Sequence, residues 1–283
     1  MTFNQRFAYL SILIGFIFCL YANQMWTVRD QLIVNFLDVG QGDSILIQTP
    51  HGRTVLIDGG PGSSLLERLN EATSFWMKDI DMIVSTHPDL DHLEGLVEIV
   101  ERYEVGFVLL TGVLTDTQLS KSFSNILQEK NIPVVLANPL EDWQIDEGVA
   151  LDILGPTRSF FGKKVKDTND TSIVAKLIYG DTSLLLAGDM EKTGEEALLR
   201  TDSDVRADLL KAGHHGSKSS SSVPFLRAVS ADEVVMMNGK ENSYGHPHLQ
   251  TLLAFDEQEM DWVSTKDVGT VRYVSDGKVW RRF

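Results

Sequence analysis

His87-Pro88-Asp89-Leu90-Asp91-His92 follows the apolar run Met82-Ile83-Val84-Ser85 after one residue, Thr86. A short apolar run bounded by a polar turn reads as a buried strand, so the polar stretch sits on the loop at the strand's C-terminal end. The loop packs four potential ligands into six residues. Imidazole and carboxylate donors suit Zn²⁺ and, with more oxygen, Mn²⁺. The same letters also read as a polar turn before a helix, with Asp91 as its cap. The rest of the chain decides between the two readings.

Three more stretches repeat the arrangement. Ala187-Gly188-Asp189-Met190-Glu191 closes an apolar strand at 184–187. A carboxylate there suits a bridge between two metals, although in isolation a Gly-Asp turn that caps the helix starting near Glu191 is the better reading. His214-His215-Gly216-Ser217 follows the apolar run 209–212. Adjacent histidines point in different directions, so at most one is expected to ligate directly. Tyr244-Gly245-His246-Pro247-His248 precedes a helix at 249–255. Six of the seven histidines fall in three of these loops and only His51 lies elsewhere, which favours a shared site over scattered surface groups.

Outward from these loops, the pattern predicts strands at 31–37, 44–48, 54–57, 106–110, 133–136, 151–154, 172–179 and 233–237. Helices are expected at 64–71, 93–103 and 119–129. The C-terminal alternation through Trp262 and 271–279 predicts a closing hairpin that turns at Asp276-Gly277. Strands and helices mix throughout, so the fold class is α/β (α+β). No linker interrupts residues 31–283, which read as one domain.

The composition narrows the function. The 283 residues are 43% hydrophobic, enough for a sizeable core. The formal net charge is -15, whereas a general nucleic-acid coat protein is basic. An anionic substrate must therefore be held by a local site and not by the global field. Cys19 is the single cysteine, so residues 31–283 contain no disulfide, Cys-ligated zinc or Cys nucleophile. Residues 7–22 read FAYLSILIGFIFCLYA without a charge, after Arg6. This is a signal peptide or signal anchor. Leu20-Tyr21-Ala22 is a poor small-x-small cleavage site, and Phe16-Ile17-Phe18 before Cys19 is a poor lipoprotein signal. Residues 1–30 are thus expected to anchor an extracytoplasmic domain in the membrane, with Trp26 at the interface.

A further set of motifs runs in order along the chain. Phe36-Leu37-Asp38-Val39-Gly40-Gln41-Gly42-Asp43-Ser44 comes first, then Leu56-Ile57-Asp58-Gly59-Gly60 and the 87–92 loop. Asn169-Asp170-Thr171-Ser172, the Gly188-Asp189 and His214-His215 motifs and Asn242-Ser243-Tyr244-Gly245-His246-Pro247 follow. Together they resemble the metallo-β-lactamase domain of ComEC-type DNA-uptake proteins, over residues 31–283. The resemblance implies a four-layer αββα sandwich with its site at the strand ends. It also implies a centre of two divalent ions, Zn or Mn. His87, Asp89 and Asp189 would hold one ion, and Asp91, His92, Asp189 and His215 the other. Asp89 stands where the wider superfamily has a second histidine, and no histidine lies between His92 and His214. Both departures match the ComEC-like branch.

On this resemblance the chain is a phosphodiesterase or nuclease acting on DNA through a two-metal-activated hydroxide. His246 would be a leaving-group acid or phosphate contact, and His214 would orient substrate. Asn169, Ser172 and Ser217 would contact it. The loop 158–166 carries four basic residues and two aromatics; Lys163 and Lys164 would meet the DNA backbone while Phe160 and Phe161 stack bases. A solvated loop accounts for that composition equally well. Two other readings stay open: a phosphodiesterase on a small or cell-wall phosphoester, and a non-catalytic accessory module that binds DNA or an uptake-channel partner.

Overall fold

The structure, a computed structural model, describes residues 31–73, 77–139 and 141–283, together with Tyr9 and Gly15. The expected anchor therefore lies outside the described residues. Among those described, no helix is long and apolar enough to cross a membrane.

The first half of the chain supplies six strands of an eight-stranded sheet and three helices. In order these are β1 (Leu32–Phe36), β2 (Ile45–Gln48), β3 (Thr54–Ile57), α1 (Ser64–Ala72), β4 (Asp79–Val84), α2 (Leu90–Arg102), β5 (Glu104–Leu110), α3 (Gln118–Glu129) and β6 (Val134–Leu136). The second half supplies β7 (Asp142–Asp146), β8 (Val149–Gly155), β9 (Val174–Tyr179), β10 (Thr182–Leu186), α4 (Lys192–Leu198), β11 (Leu209–Lys211), α5 (Val223–Val229), β12 (Glu233–Met236), α6 (Leu249–Glu257), β13 (Asp261–Ser264), α7 (Thr265–Val268), β14 (Val271–Ser275) and β15 (Trp280–Arg282).

The first sheet runs β15-β14-β1-β2-β3-β4-β5-β6 and the second β13-β12-β11-β10-β9-β8-β7. Each joins an antiparallel half to a parallel half. The parallel halves are β3 to β6 and β10 to β13. The parallel strands β4, β10 and β11 lie under helices on one side and the other sheet on the other. This is why they read as continuous apolar runs rather than alternating ones.

Three buried clusters separate four layers. Side chains at alternate positions, such as Leu32, Val34 and Phe36 from β1 and Leu184 and Leu186 from β10, meet between the sheets. Leu46, Leu56 and Ile83 face the other way, onto Leu96 of α2 and Phe123 of α3. On the far side, Leu185, Leu210 and Val234 pack under Phe225 of α5 and Phe255 of α6. The result is the expected αββα sandwich. Truncating one such residue to alanine costs about 2–5 kcal/mol.

Several local expectations need adjustment. Trp262 belongs to β13, the edge of the second sheet, and not to the C-terminal hairpin; β14 and β15 form that hairpin in the first sheet and turn at Asp276-Gly277. The run expected as a strand from 172 begins at Val174, because Asn169–Thr171 forms a 3-10 turn. Helix α2 starts at Leu90, so Asp91 lies in its first turn and Asp89 precedes it. The edge strand β7 and helix α5 carried no clear sequence signal. In α5, Pro224 sits in the first turn, where the missing N–H costs nothing.

Candidate metal centre

The loops after β3, β4, β10 and β11 all leave the C-terminal ends of parallel strands, and they meet at one rim. Open α/β sheets place their sites there. Two glycine contacts set the distance between layers. A Cβ on Gly59 would lie 2.3 Å from the Leu96 nitrogen, and one on Gly95 would lie 2.1 Å from the Gly59 oxygen. Only glycine lets the start of α2 rest on the end of β3, which brings His92 against Asp58.

His92 is fully buried and fixed from behind. Its Nδ1 donates to Asp58 Oδ2 at 2.8 Å, and the same carboxylate accepts from Thr86 N at 2.8 Å and Thr86 Oγ1 at 2.6 Å. This leaves Nε2 as the free edge of the ring. His215 is held likewise: Nδ1 donates to the Met237 carbonyl at 2.9 Å, with Asp43 Oδ1 3.2 Å away. The free edges converge. His92 Nε2 lies 3.3 Å from His215 Nε2 and 3.3 Å from Asp189 Oδ2. His215 Nε2 lies 3.1 Å from Asp189 Oδ2 and 3.2 Å from Asp91 Oδ2.

His87 stands beside this group, its ring centroid 4.1 Å from that of His92. Its Nδ1 lies 3.0 Å from Thr86 Oγ1 and 3.3 Å from Ser172 Oγ. Its Nε2 is buried without a hydrogen-bond partner and lies 3.8 Å from Asp89 Oδ2. A buried imidazole nitrogen with nothing to bond costs free energy unless something else binds there. The donor set and this orphan nitrogen fit a metal centre.

Besides Asp58, two residues of the site carried no role in the sequence reading. Asp43 and Lys211 are both buried and form an ion pair behind the histidines. Lys211 Nζ also donates to the Gly188 carbonyl at 2.9 Å and stands 3.6 Å from Asp189 Oδ1. One ligand atom each from Asp43, His92, Asp189 and His215 falls within 4.8 Å of the others. Asp43, however, approaches the Nδ1 edges and is paired with Lys211. We therefore assign it to support, and Asp91 to the converging Nε2 side.

The titration behaviour follows from this crowding. Burial disfavours charge on His92 and His215, but Asp189 outweighs it, helped by Asp58 at His92 and by Asp43 at His215. Both imidazoles are held well above the ordinary histidine range. Burial likewise opposes ionisation of Asp189, yet His215 and His92 hold its carboxyl well below the usual range. Asp91 is drawn down to about 2 against its burial by His215 and His92. Burial, reinforced by His92, lowers His87 to about 4. The carboxylates thus demand positive charge at the Nε2 edges, while His87 stays neutral.

The structure brings His87, Asp89, Asp91, His92, Asp189 and His215 together, with His214 and His246 at the rim. His214 and His215 both adopt left-handed backbone, with φ of 47° and 55°. This strained turn aims both rings at Asp189 instead of splaying them: His214 Nε2 lies 3.8 Å from Asp189 Oδ2. His214 Nδ1 meets Glu191 Oε1 at 3.1 Å and Asn169 Nδ2 at 3.4 Å. The His246 ring lies 5.5 Å from that of His214, and burial with the neighbouring His215 and His214 lowers it to about 4.

Ser172 and Ser217 are buried in the wall. Ser172 Oγ accepts from Asp189 N at 3.0 Å, and Ser217 Oγ bonds Ser219 Oγ at 2.9 Å. In the basic loop, Phe160 is buried under Arg158 while Phe161 is 63% exposed. Lys163 Nζ donates to the Ser159 carbonyl at 2.7 Å and Lys164 Nζ to Asp116 Oδ2 at 2.5 Å.

Comparison with known proteins agrees with this architecture. The sequence is 26% identical over 257 residues to ComE operon protein 3 of Bacillus subtilis (strain 168), covering 85% of this chain and 32% of that protein. It is 30% identical over 224 residues to Competence protein ComA of Neisseria gonorrhoeae, covering 77% and 29%. It is 27% identical over 245 residues to Recombination protein 2 of Haemophilus influenzae, covering 84% and 28%. The chain spans about a third of the length of these relatives. Among solved structures, the metallo-beta-lactamase fold protein YhfI from Bacillus subtilis superposes with a TM-score of 0.56 at 11% identity, covering 87% of this chain and 100% of that one. That likeness is one of fold. The sequence profile of the Metallo-beta-lactamase superfamily matches residues 37–239, and the chain belongs to that superfamily.

Proposed function

We propose that the chain is a metal-dependent phosphodiesterase that holds two divalent ions, Zn²⁺ or Mn²⁺, and cleaves DNA outside the cytoplasm. The observation that carries this reading is the convergence of His92 Nε2, His215 Nε2, Asp189 Oδ2 and Asp91 Oδ2, beside the orphan Nε2 of His87. Asp91, His92, Asp189 and His215 would hold one ion, and His87, Asp89 and Asp189 the other. Charge supports the number. Asp43, Asp58, Asp89, Asp91 and Asp189 against Lys211 leave four negative charges, which two divalent cations balance. When bound, such ions activate water and offset the charge on a phosphate.

The remaining residues shape the approach. Asp58 and the Met237 carbonyl fix the histidine tautomers. Ser172 bridges His87 and the backbone N–H of Asp189, linking the two halves of the centre. His214 and His246 line the rim, where they are placed to hydrogen-bond a phosphate or its leaving group. DNA as the substrate, and an uptake channel as partner, rest on the named relatives, the ComE operon, competence and recombination proteins. The extracytoplasmic placement rests on the apolar stretch at residues 7–22.

The test is hydrolysis by the purified chain, loaded with Mn²⁺ or Zn²⁺, of single-stranded DNA, double-stranded DNA, bis-nitrophenyl phosphate and a chromogenic β-lactam. Metal-dependent cleavage of DNA and the small diester is expected. Cleavage of the small ester alone points to a small or cell-wall phosphoester. Hydrolysis of neither, at saturating metal, refutes the reading and leaves an accessory binding module.

A further inference from the structure

Beside the His214-His215 turn lies a cavity of about 270 Å³. Lys192, Lys218, Ser221, Gln250 and Thr251 contribute to its wall. In a chain of net charge -15, two lysines on one small cavity with no acidic residue in its lining are a local reversal of sign. The Lys218 side chain is exposed, and its ammonium has no acidic partner among the described residues. Lys192 Nζ spends one of its three N–H groups on the Lys218 carbonyl, at 2.7 Å.

The wall also holds unpaired polar groups. Ser221 Oγ and Thr251 Oγ1 are buried hydroxyls without a hydrogen-bond partner, and both residues belong to this wall. Native proteins leave few such groups unsatisfied. The wall is also rigid. Buried Glu195 accepts from Ser221 N at 2.5 Å and Ser222 N at 2.9 Å, and Ser220 Oγ donates to the Met190 carbonyl at 2.9 Å. The Glu195 charge opposes an anion here, but both its oxygens are engaged by those amides. The first turn of α6, a helix of nine residues, adds its positive end to the same wall.

The cavity is covalently close to the centre. Lys218 lies three residues after His215, a reach of at most about 10 Å. Ser219 Oγ lies 3.3 Å from His214 Nδ1, and Lys218 N donates to His248 Nδ1 at 3.1 Å. We propose that this cavity is a second oxyanion site, which binds a backbone phosphate flanking the scissile one in a polynucleotide. The proposal deepens the phosphodiesterase reading and rests on it. It gives the enzyme a preference for a chain of phosphates over an isolated diester.

The test compares the full-length wild type with the K192A/K218A double variant and with Lys218→Arg. Three quantities are read: hydrolysis of single-stranded DNA against salt, hydrolysis of bis-nitrophenyl phosphate, and anisotropy of fluorescein-labelled single-stranded DNA against salt. Losing this one phosphate contact lowers the log–log salt slope for single-stranded DNA by about 0.7. That drop is expected in the double variant, in both DNA measurements, with turnover of the small ester unchanged. Lys218→Arg keeps the slope. An unchanged slope, or an equal loss on DNA and the small ester, overturns the proposal while leaving the phosphodiesterase reading intact. If the wild type hydrolyses neither substrate, that reading fails, and anisotropy alone decides the oxyanion site. A slope lowered in the double variant supports it; equal slopes, or no binding by the wild type, overturn it.

Discussion

His92 is gripped at one ring nitrogen and presented at the other: Nδ1 donates to Asp58 Oδ2 at 2.8 Å, and Nε2 faces Asp189 Oδ2 at 3.3 Å. The two contacts lie on opposite edges of one fully buried ring. Asp58 therefore decides which nitrogen is offered to the site, although it never reaches the Nε2 side itself.

Asp58→Asn keeps the size of the side chain but removes the charge that holds the Nδ1 proton. Loss of such a partner weakens metal affinity by roughly 10–100-fold. Chelator competition on the purified variant checks this. Unchanged affinity would mean that the His92 tautomer is fixed by something else.

The chain should bind about two divalent ions, with unequal strength. On one side His92, His215 and Asp189 are buried and, with the half-buried Asp91, converge at 3.1–3.3 Å. On the other side Asp89 is 41% exposed and 3.8 Å from His87 Nε2. Elemental analysis along a chelator series should show two steps. A stoichiometry near zero, or one concerted loss, would contradict the assignment.

Asp91→Ala should cost more activity than His246→Ala. Asp91 contributes charge to the converging group, whereas a single acid–base group is worth typically about 10²–10⁴-fold. Turnover of both variants at saturating metal is the measurement. Equal residual activity would show that the two roles are misassigned.

The metal-free protein should be most stable near pH 6.5. His92 and His215 have raised folded values, so their contribution is complete below the unfolded value of 6.5 and is lost as the pH climbs toward the raised ones. His87 and His246 are lowered to about 4, so they cost stability as the pH falls from 6.5 through 4. Metal binding displaces protons from His92 and His215, so the stabilisation by metal should grow as pH rises. Thermal unfolding with chelator and with metal, from pH 4 to 9, tests both trends. A chelator optimum above pH 8 would be inconsistent with the first.

An alkaline phosphatase fusion after residue 30 should be active, because residues 1–30 are expected to carry the domain at 31–283 across the membrane. An inactive fusion, with a cytoplasmic reporter active at the same joint, would reverse the placement.

Much of the candidate centre was legible because its donor side chains come in local sets. His87 to His92 fall within six consecutive residues, from the loop after β4 into the first turn of α2, and Asp189 and the His214-His215 pair each follow an apolar strand. That periodicity, apolar then suddenly ligating, is visible without a fold. Asp43, Asp58 and Lys211 were harder. Asp43 and Asp58 sit among glycines and read as turn residues, and Lys211 ends an apolar strand where nothing in the letters says that its ammonium points inward. Phe160 and Phe161 look alike as neighbours, but one is buried and the other 63% exposed.

By itself the sequence determined the class of fold, the strand-end loops and the donor types, because hydrophobic period and ligand chemistry are local properties. Only the tertiary structure decided which donors share a point in space. Parallel β10 and β11 set Asp189 and the His214-His215 turn side by side, and left-handed backbone aimed both rings inward. Gly59 and Gly95 let a helix and a strand from different layers touch, which put Asp58 behind His92. The Asp43–Lys211 pair joins the loop before β2 of one sheet to β11 of the other, far apart in sequence. Such an encounter depends on the packing of layers, and no short-range pattern encodes it.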